Sequence, residues 1–97
     1  MRKIEWSLKA EYDYLDNIDF LQHKWTINEV HNFIDKVEEV IGLLQKENVN
    51  FKPTDYKNTY QITITKQITL YYCINQNNDI ELLRFFNNYQ NPKRLSL

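Results

Sequence analysis

The sequence predicts an α+β domain in which a helical hairpin covers one face of a mostly antiparallel four-stranded sheet. Three observations carry this reading. Apolar residues recur at steps of three or four through the first half of the chain and at every second position through the second half. A capping signature at Thr26 divides the helical half in two. The 97 residues, 42 % hydrophobic and 14 % aromatic, suffice for one core, so 1–97 reads as a single domain in the order β-α-α-β-β-β.

Lys3-Ile4-Glu5-Trp6 alternates polar and apolar, as a short strand does. Ser7 is a suitable N-cap for a helix from Leu8 to about His23. Tyr14, Ile18, Leu21 and Trp25 lie on one face of that helix. Leu8, Leu15 and Phe20 broaden or flank the stripe, and Glu11, Asp13, Asp16 and Asp19 decorate the rest. Thr26 and Glu29 fit a capping box, with Trp25 and Val30 as its hydrophobic staple. The second helix runs to about Lys46 on Val30, Phe33, Ile34, Val37, Val40, Ile41 and Leu44. A link this short makes the two helices an antiparallel hairpin. Gly42 falls off the apolar stripe, where close packing or fraying accounts for it. Glu47–Asn58, polar and carrying Pro53, reads as a loop.

The period then becomes two. Tyr60, Ile62 and Ile64 form one strand face. Ile68, Leu70, Tyr72 and Ile74 form the next, across a turn at Lys66-Gln67. Asn75–Asn78 is a second turn, rich in a residue that tolerates left-handed backbone. Asp79–Phe86 is the last strand, with Ile80, Leu82, Arg84 and Phe86 expected on one face and Glu81, Leu83 and Phe85 on the other. Pro92-Lys93-Arg94 opens a basic tail.

Scarce residues exclude several functions. One glycine, Gly42, rules out phosphate-cradling loops, which need several. One cysteine, Cys73, allows no internal disulfide, and with His23 and His31 it falls short of a structural zinc set. No cofactor and no metal is expected. The sequence has no apolar run of ~20 residues and no apolar stretch after its first basic residues. The expectation is a cytoplasmic protein without a membrane partner.

The net charge of -1 hides a split. Residues 1–50 hold six Lys/Arg and ten Asp/Glu; residues 51–97 hold six and three. Acid therefore lies on the helical half, and base on the sheet and tail, a pattern that suits an anionic partner at the basic side. Tyr56, Tyr60, Tyr71, Tyr72 and Tyr89 interleave with those bases, and unpaired RNA bases stack on such rings. Packing explains strand aromatics equally well: Tyr72 is in phase with the core, whereas Tyr71 faces away from it. Cys73, mid-strand, reads as a structural thiol. RNA cleavage by its own 2′-OH needs a proton acceptor, a phosphorane stabiliser and a proton donor. Lys, Arg and Tyr can supply all three without histidine or metal. By residue type, Lys52, Lys57, Lys66, Arg84 and Tyr71 are candidates for these roles, with Lys66, Arg84 and Tyr71 as the candidate catalytic set. Lys52, Lys57, Tyr89, Lys93 and Arg94 are the candidate target-binding set.

The opening Ile4-Glu5-Trp6-Ser7-Leu8-Lys9-Ala10 resembles the "I-x-W-S-x-x-A" start of the RelE/ParE toxin superfamily. Ile64–Ile74 resembles its second hairpin, and Ile80–Phe86 with Asn87–Pro92 its last strand and "R-x-N-P" ending. Asn58-Thr59-Tyr60 and Tyr89 stand where members often carry Arg. The resemblance spans nearly the whole chain. It implies the toxin of a type II toxin–antitoxin pair, held by a cognate antitoxin in a hetero-oligomer. One branch of that superfamily is a metal-independent endoribonuclease that cuts mRNA in the ribosome; another inhibits DNA gyrase without nuclease chemistry. A module that only binds antitoxin is the third possibility. Fold alone does not choose among them.

Overall fold

The structure, a computed structural model, describes residues 1–46 and 51–97. The elements are β1 (Ile4–Trp6), α1 (Leu8–Lys24), α2 (Ile27–Leu44), β2 (Lys52–Pro53), β3 (Thr59–Thr65), β4 (Ile68–Ile74) and β5 (Ile80–Asn87), followed by one 3-10 turn at Pro92–Arg94. The α+β class and the helical hairpin are as expected. The strand count is corrected: the sheet has five strands, ordered β1-β5-β4-β3-β2. Residues 47–50 of the expected loop lie outside the described residues. The remainder supplies β2, whose Lys52 and Pro53 pair with Gln61 and Tyr60. β1 runs parallel to β5, while the other pairings are antiparallel.

The caps work largely as the sequence implies. Ser7 Oγ accepts from Ala10 N–H at 3.0 Å, and Thr26 Oγ1 accepts from Glu29 N–H at 3.4 Å. Each satisfies a donor that the first helical turn leaves orphaned. The Glu29 carboxylate departs from the capping box: its Oε2 accepts from Nε2 of the buried Gln67, in the β3–β4 turn, at 3.2 Å. This ties the start of α2 to the sheet. Asn78 takes φ 64° in the β4–β5 turn, as an Asn-rich turn allows. Gly42 is exposed, and a Cβ there would meet no atom within 4 Å, so close packing does not account for it.

The core lies between the hairpin and one sheet face. Leu21, Val30, Phe33, Val37, Val40 and Leu44 from the helices meet Ile64, Ile68, Leu70, Tyr72, Ile80, Leu82 and Phe85. Trp6, Tyr14, Phe33 and Phe85 pack ring on ring at centroid distances of 5.3–6.0 Å. Such contacts add about 0.5–1.5 kcal/mol each beyond area burial. Leu8 and Leu15 do not join this core; both are exposed.

β5 departs from simple alternation. Tyr71 pairs with Arg84 but Tyr72 pairs with Leu82, so Leu83 is an extra residue. This bulge reverses the faces of the residues beyond it. Phe85, opposite Leu70, enters the core that Ile80 and Leu82 began, whereas Arg84 and Phe86 fall on the other face. The expected grouping of Ile80, Leu82, Arg84 and Phe86 is thus corrected.

β1 covers only the first half of β5, and α1 seals the rest of that edge with side chains. Ser7 N–H donates to Leu82 O and Ser7 Oγ to Leu83 O, both at 3.0 Å. Phe85 N–H donates to Asp13 Oδ2 at 3.1 Å, and Asn17 Nδ2 donates to Phe85 O at 2.9 Å. The backbone groups that would invite another strand are consumed within the chain.

Candidate functional site

The sheet face away from the helices carries the polar side chains of the strands. Register aligns Lys52 with Gln61, Gln61 with Tyr71, and Tyr71 with Arg84. Directly paired residues share a face, so these four form a row across β2, β3, β4 and β5. Thr63, Thr69 and Phe86 form the row on one side of it, and Thr59, Cys73 and Glu81 the row on the other.

A recess of about 370 Å³ opens at the β2 end of this row, lined among others by Lys52, Asp55, Tyr56, Gln61 and Tyr71. Its wall is a fixed turn. Thr54 N–H donates to Thr59 O at 2.9 Å, Thr54 Oγ1 donates to Thr59 O at 3.0 Å, and Tyr56 N–H donates to Thr54 Oγ1 at 3.1 Å. Tyr56 and Lys57 are presented to solvent at the tip. Burial pushes the Tyr71 phenol above its ordinary value, so it stays a neutral hydrogen-bond donor through neutral pH. The recess thus offers a cation, two rings, an amide and a carboxylate to one ligand.

The other candidates are engaged elsewhere in the chain or lie outside the recess. Arg84 is engaged with Asp13: Nε meets Oδ2 at 2.6 Å and Nη2 meets Oδ1 at 3.1 Å. The remaining Nη1 donates to Ser96 O at 3.2 Å. Asp13 holds the guanidinium above its ordinary value, in a two-pronged pair of the strong kind. Lys66, in the β3–β4 turn, places Nζ 4.5 Å from the Trp25 ring centroid, a cation–π contact. It stands five residues from Tyr71, about 16 Å along a strand. Tyr89 lies 6.1 Å from Trp25 and 6.4 Å from Phe20, ring to ring. Lys93 and Arg94 are exposed on the 3-10 turn, whose start is capped by Asn91 Oδ1 accepting from Lys93 N–H at 3.0 Å.

Tyr71 and Arg84 are thus neighbours in the row, with Arg84 engaged by Asp13, while Lys66 lies apart from both; Lys52 shares the recess with Tyr71. Sequence reading missed Gln61 and Asp55 in the recess and Asp13 beside Arg84. The first two depend on β2, which at two residues has no period to detect. Cys73 Sγ lies 3.7 Å from Glu81 Oε1. Burial and that carboxylate push the thiol up and keep it protonated, in line with a structural role. Among the described residues, no three His, Cys, Asp or Glu side chains are grouped so that they could hold a metal ion. No described helix is long and apolar enough to cross a membrane.

No protein-family model and no curated protein matches the sequence. Solved structures match the whole architecture. A chain of the chromosomal ParDE TA system from P. aeruginosa aligns at TM-score 0.73 and 16 % identity, over 90 % of this chain and 96 % of that one. The chain shares that fold. The YoeB dimer structure from Staphylococcus aureus aligns at 0.60 and 16 % identity, over 91 % and 98 % of the two chains. The YoeB/ParE toxin from Agrobacterium tumefaciens aligns at 0.59 and 15 %, over 90 % and 99 %. The points at which the sequence departs from the RelE/ParE pattern have local explanations. Asn58 takes φ 56°, a left-handed conformation that favours Asn over Arg. Tyr89 packs beside Trp25 and Phe20, where ring contact takes the place of charge.

Proposed function

We propose that this protein is the toxin of a type II toxin–antitoxin pair and that it arrests growth at translation by engaging mRNA on the open face of its sheet. Its partner in the resting cell is a cognate antitoxin, in a cytoplasmic hetero-oligomer. The likeness in fold supports the toxin reading. The recess at Lys52, Tyr56, Gln61 and Tyr71 supports the RNA reading. Lys52 and Lys57 are placed for phosphate, Tyr56 and Tyr71 for an unpaired base, and Gln61 for a base edge. If the backbone is cut there, the neutral Tyr71 O–H is the proton donor to the leaving oxygen and Lys52 steadies the phosphorane. Asp55 is the carboxylate within reach as acceptor for the 2′-OH proton.

A second reading is favoured by one observation: Lys66 is drawn to Trp25, away from Tyr71, and Arg84, beside Tyr71, is engaged by Asp13. A non-enzymatic inhibitor of DNA gyrase needs no convergent catalytic set. On that reading the same face is a protein contact surface, and the likeness to a ParDE chain accords with it.

Inducing the protein alone, with labelled precursors followed over time, decides between them. Early loss of protein synthesis with cut transcripts supports the RNA reading. Early loss of DNA synthesis with an SOS response supports gyrase. Tyr71→Ala and Lys52→Ala are each expected to weaken the arrest about tenfold or more, the scale of one lost base or phosphate contact. The urea midpoint is expected to be nearly unchanged for the exposed Lys52 and lowered by the equivalent of about 1 kcal/mol for the half-buried Tyr71. Cells that keep growing with wild-type protein refute both readings and leave an antitoxin-binding module.

A further inference from the structure

The helix α1 has two apolar stripes, and only one is covered. Tyr14, Ile18 and Leu21 turn to the core. At 100° per residue, Leu8, Tyr12 and Leu15 form a second stripe about 120° away around the same helix. Their side chains are 65 %, 62 % and 63 % exposed. A surface helix ordinarily presents polar residues there, and contiguous exposed large apolar residues mark interaction sites.

The spacing and the charges both describe an occupant. Steps of four and three are those of a coiled-coil seam, which pairs with a helix bearing the same repeat. The next seam position, four residues on, is Asp19, and it is exposed. Glu11 and Asp16 flank the seam and are also exposed, and α1 carries no Lys or Arg between Ala10 and His23. Asp13 is neutralised by Arg84, Asp19 meets His23 Nδ1 at 3.2 Å, and Lys9 is an exposed cation beside Leu8, but among the described residues neither Glu11 nor Asp16 is in an ion pair. A second copy of α1 would bring these carboxylates against one another, whereas Lys or Arg flanking an apolar seam would meet them.

We propose that the outer face of α1 is a docking site for a basic amphipathic helix of a protein partner, whose apolar seam covers Leu8, Tyr12 and Leu15 and whose cations face Glu11, Asp16 and Asp19. This goes beyond the toxin reading and stands or falls without it. It assigns the acidic half of the molecule a partner of its own, apart from whatever the basic recess binds.

The probe is a synthetic three-heptad peptide with Leu on its seam and Lys on its flanks, titrated into the full-length protein by calorimetry. Its counterpart carries Glu in place of every Lys. The basic peptide is expected to bind about tenfold or more tightly than the acidic one, and to weaken as salt rises. Leu8→Ser with Leu15→Ser is expected to weaken it at least about tenfold with the urea midpoint unchanged, because both side chains are solvent-exposed. Asp16→Lys with Asp19→Lys is expected to reverse the preference. Equal affinity for the two peptides, or binding to neither, overturns the proposal. So does a wild-type dimer by light scattering that Leu8→Ser with Leu15→Ser dissociates, which would give the face to a second copy of the chain.

Discussion

Replacing Asp13 by Ala tests the edge seal. The carboxylate takes three hydrogen bonds, two from Arg84 and one from Phe85 N–H. The two side chains are only 14 % and 19 % exposed. Removing one member of a buried pair costs about 3–5 kcal/mol, because the other charge is left without compensation. Residual exposure lets water reach the guanidinium, so the lower end, about 3 kcal/mol, is expected, including about 1 kcal/mol for the orphaned Phe85 N–H. At an m-value of about 1.5 kcal/mol/M the urea midpoint falls by about 2 M. Adding Arg84→Met is expected to recover about half of the loss, since it removes the stranded cation rather than the partner alone. Asp13→Asn keeps an acceptor for Phe85 N–H and is expected to cost about 1 kcal/mol less than Ala. Equilibrium urea unfolding followed by far-UV circular dichroism measures all four proteins. An Asp13→Ala midpoint within about 0.3 M of wild type, or no recovery in the double variant, would refute the edge seal as a source of stability.

Gly42→Ala is expected to raise stability by about 0.5–1 kcal/mol, read as a higher urea midpoint, because the position is helical and a Cβ meets open space. A lower midpoint would contradict that geometry. Stability is also expected to fall in alkali. Burial raises the folded-state values of Tyr14, Tyr71, Tyr72 and Cys73 above the ordinary 10.0 for Tyr and 9.0 for Cys. The folded state then holds protons that the unfolded state releases, so their contribution is full below about pH 9 and is lost as pH rises through the folded values. Urea midpoints at pH 8 and pH 10.5 measure this, and Tyr72→Phe should flatten the difference; a flat profile in the wild type would count against it.

Both helices and the three long strands are legible in the sequence because their periods and caps act locally. Thr26 caps whatever lies behind it, and Tyr72 alternates with Leu70 and Ile74 regardless of the rest of the chain. The features that escape are set by distant partners. Two-residue β2, half of it proline, has no alternation to detect. The parallel pairing of β1 with β5 is a choice of neighbour, not of local conformation. The extra residue at Leu83 changes parity midway along β5, so Arg84 and Phe85 exchange faces. Leu8 and Leu15 look like core residues because a wide apolar stripe is read as one face, while the molecule uses its two sides separately. The recess is half legible: Lys52 and Tyr71 are suggested by residue type, but only register brings them together. Lys66 and Arg84 are suggested by the same reasoning, and Trp25 and Asp13 engage them.

The pairing of β1 with β5 also sets an order in time. Ser7 donates to Leu83, 76 residues further along the chain, and Asp13 pairs with Arg84 across 71. A ribosome adding about 5–20 residues per second takes several seconds to cover that interval. Throughout it, β1 and the edge-sealing side chains of α1 wait for a strand that has not been made. The helical hairpin can form early from local contacts, but the sheet row through Lys52, Gln61, Tyr71 and Arg84 closes only when nearly all of these residues have emerged. The nascent chain therefore displays its acidic helical half, with the outer stripe of α1, before its basic face is assembled, and a binder of that stripe can meet the protein while it is still being synthesised.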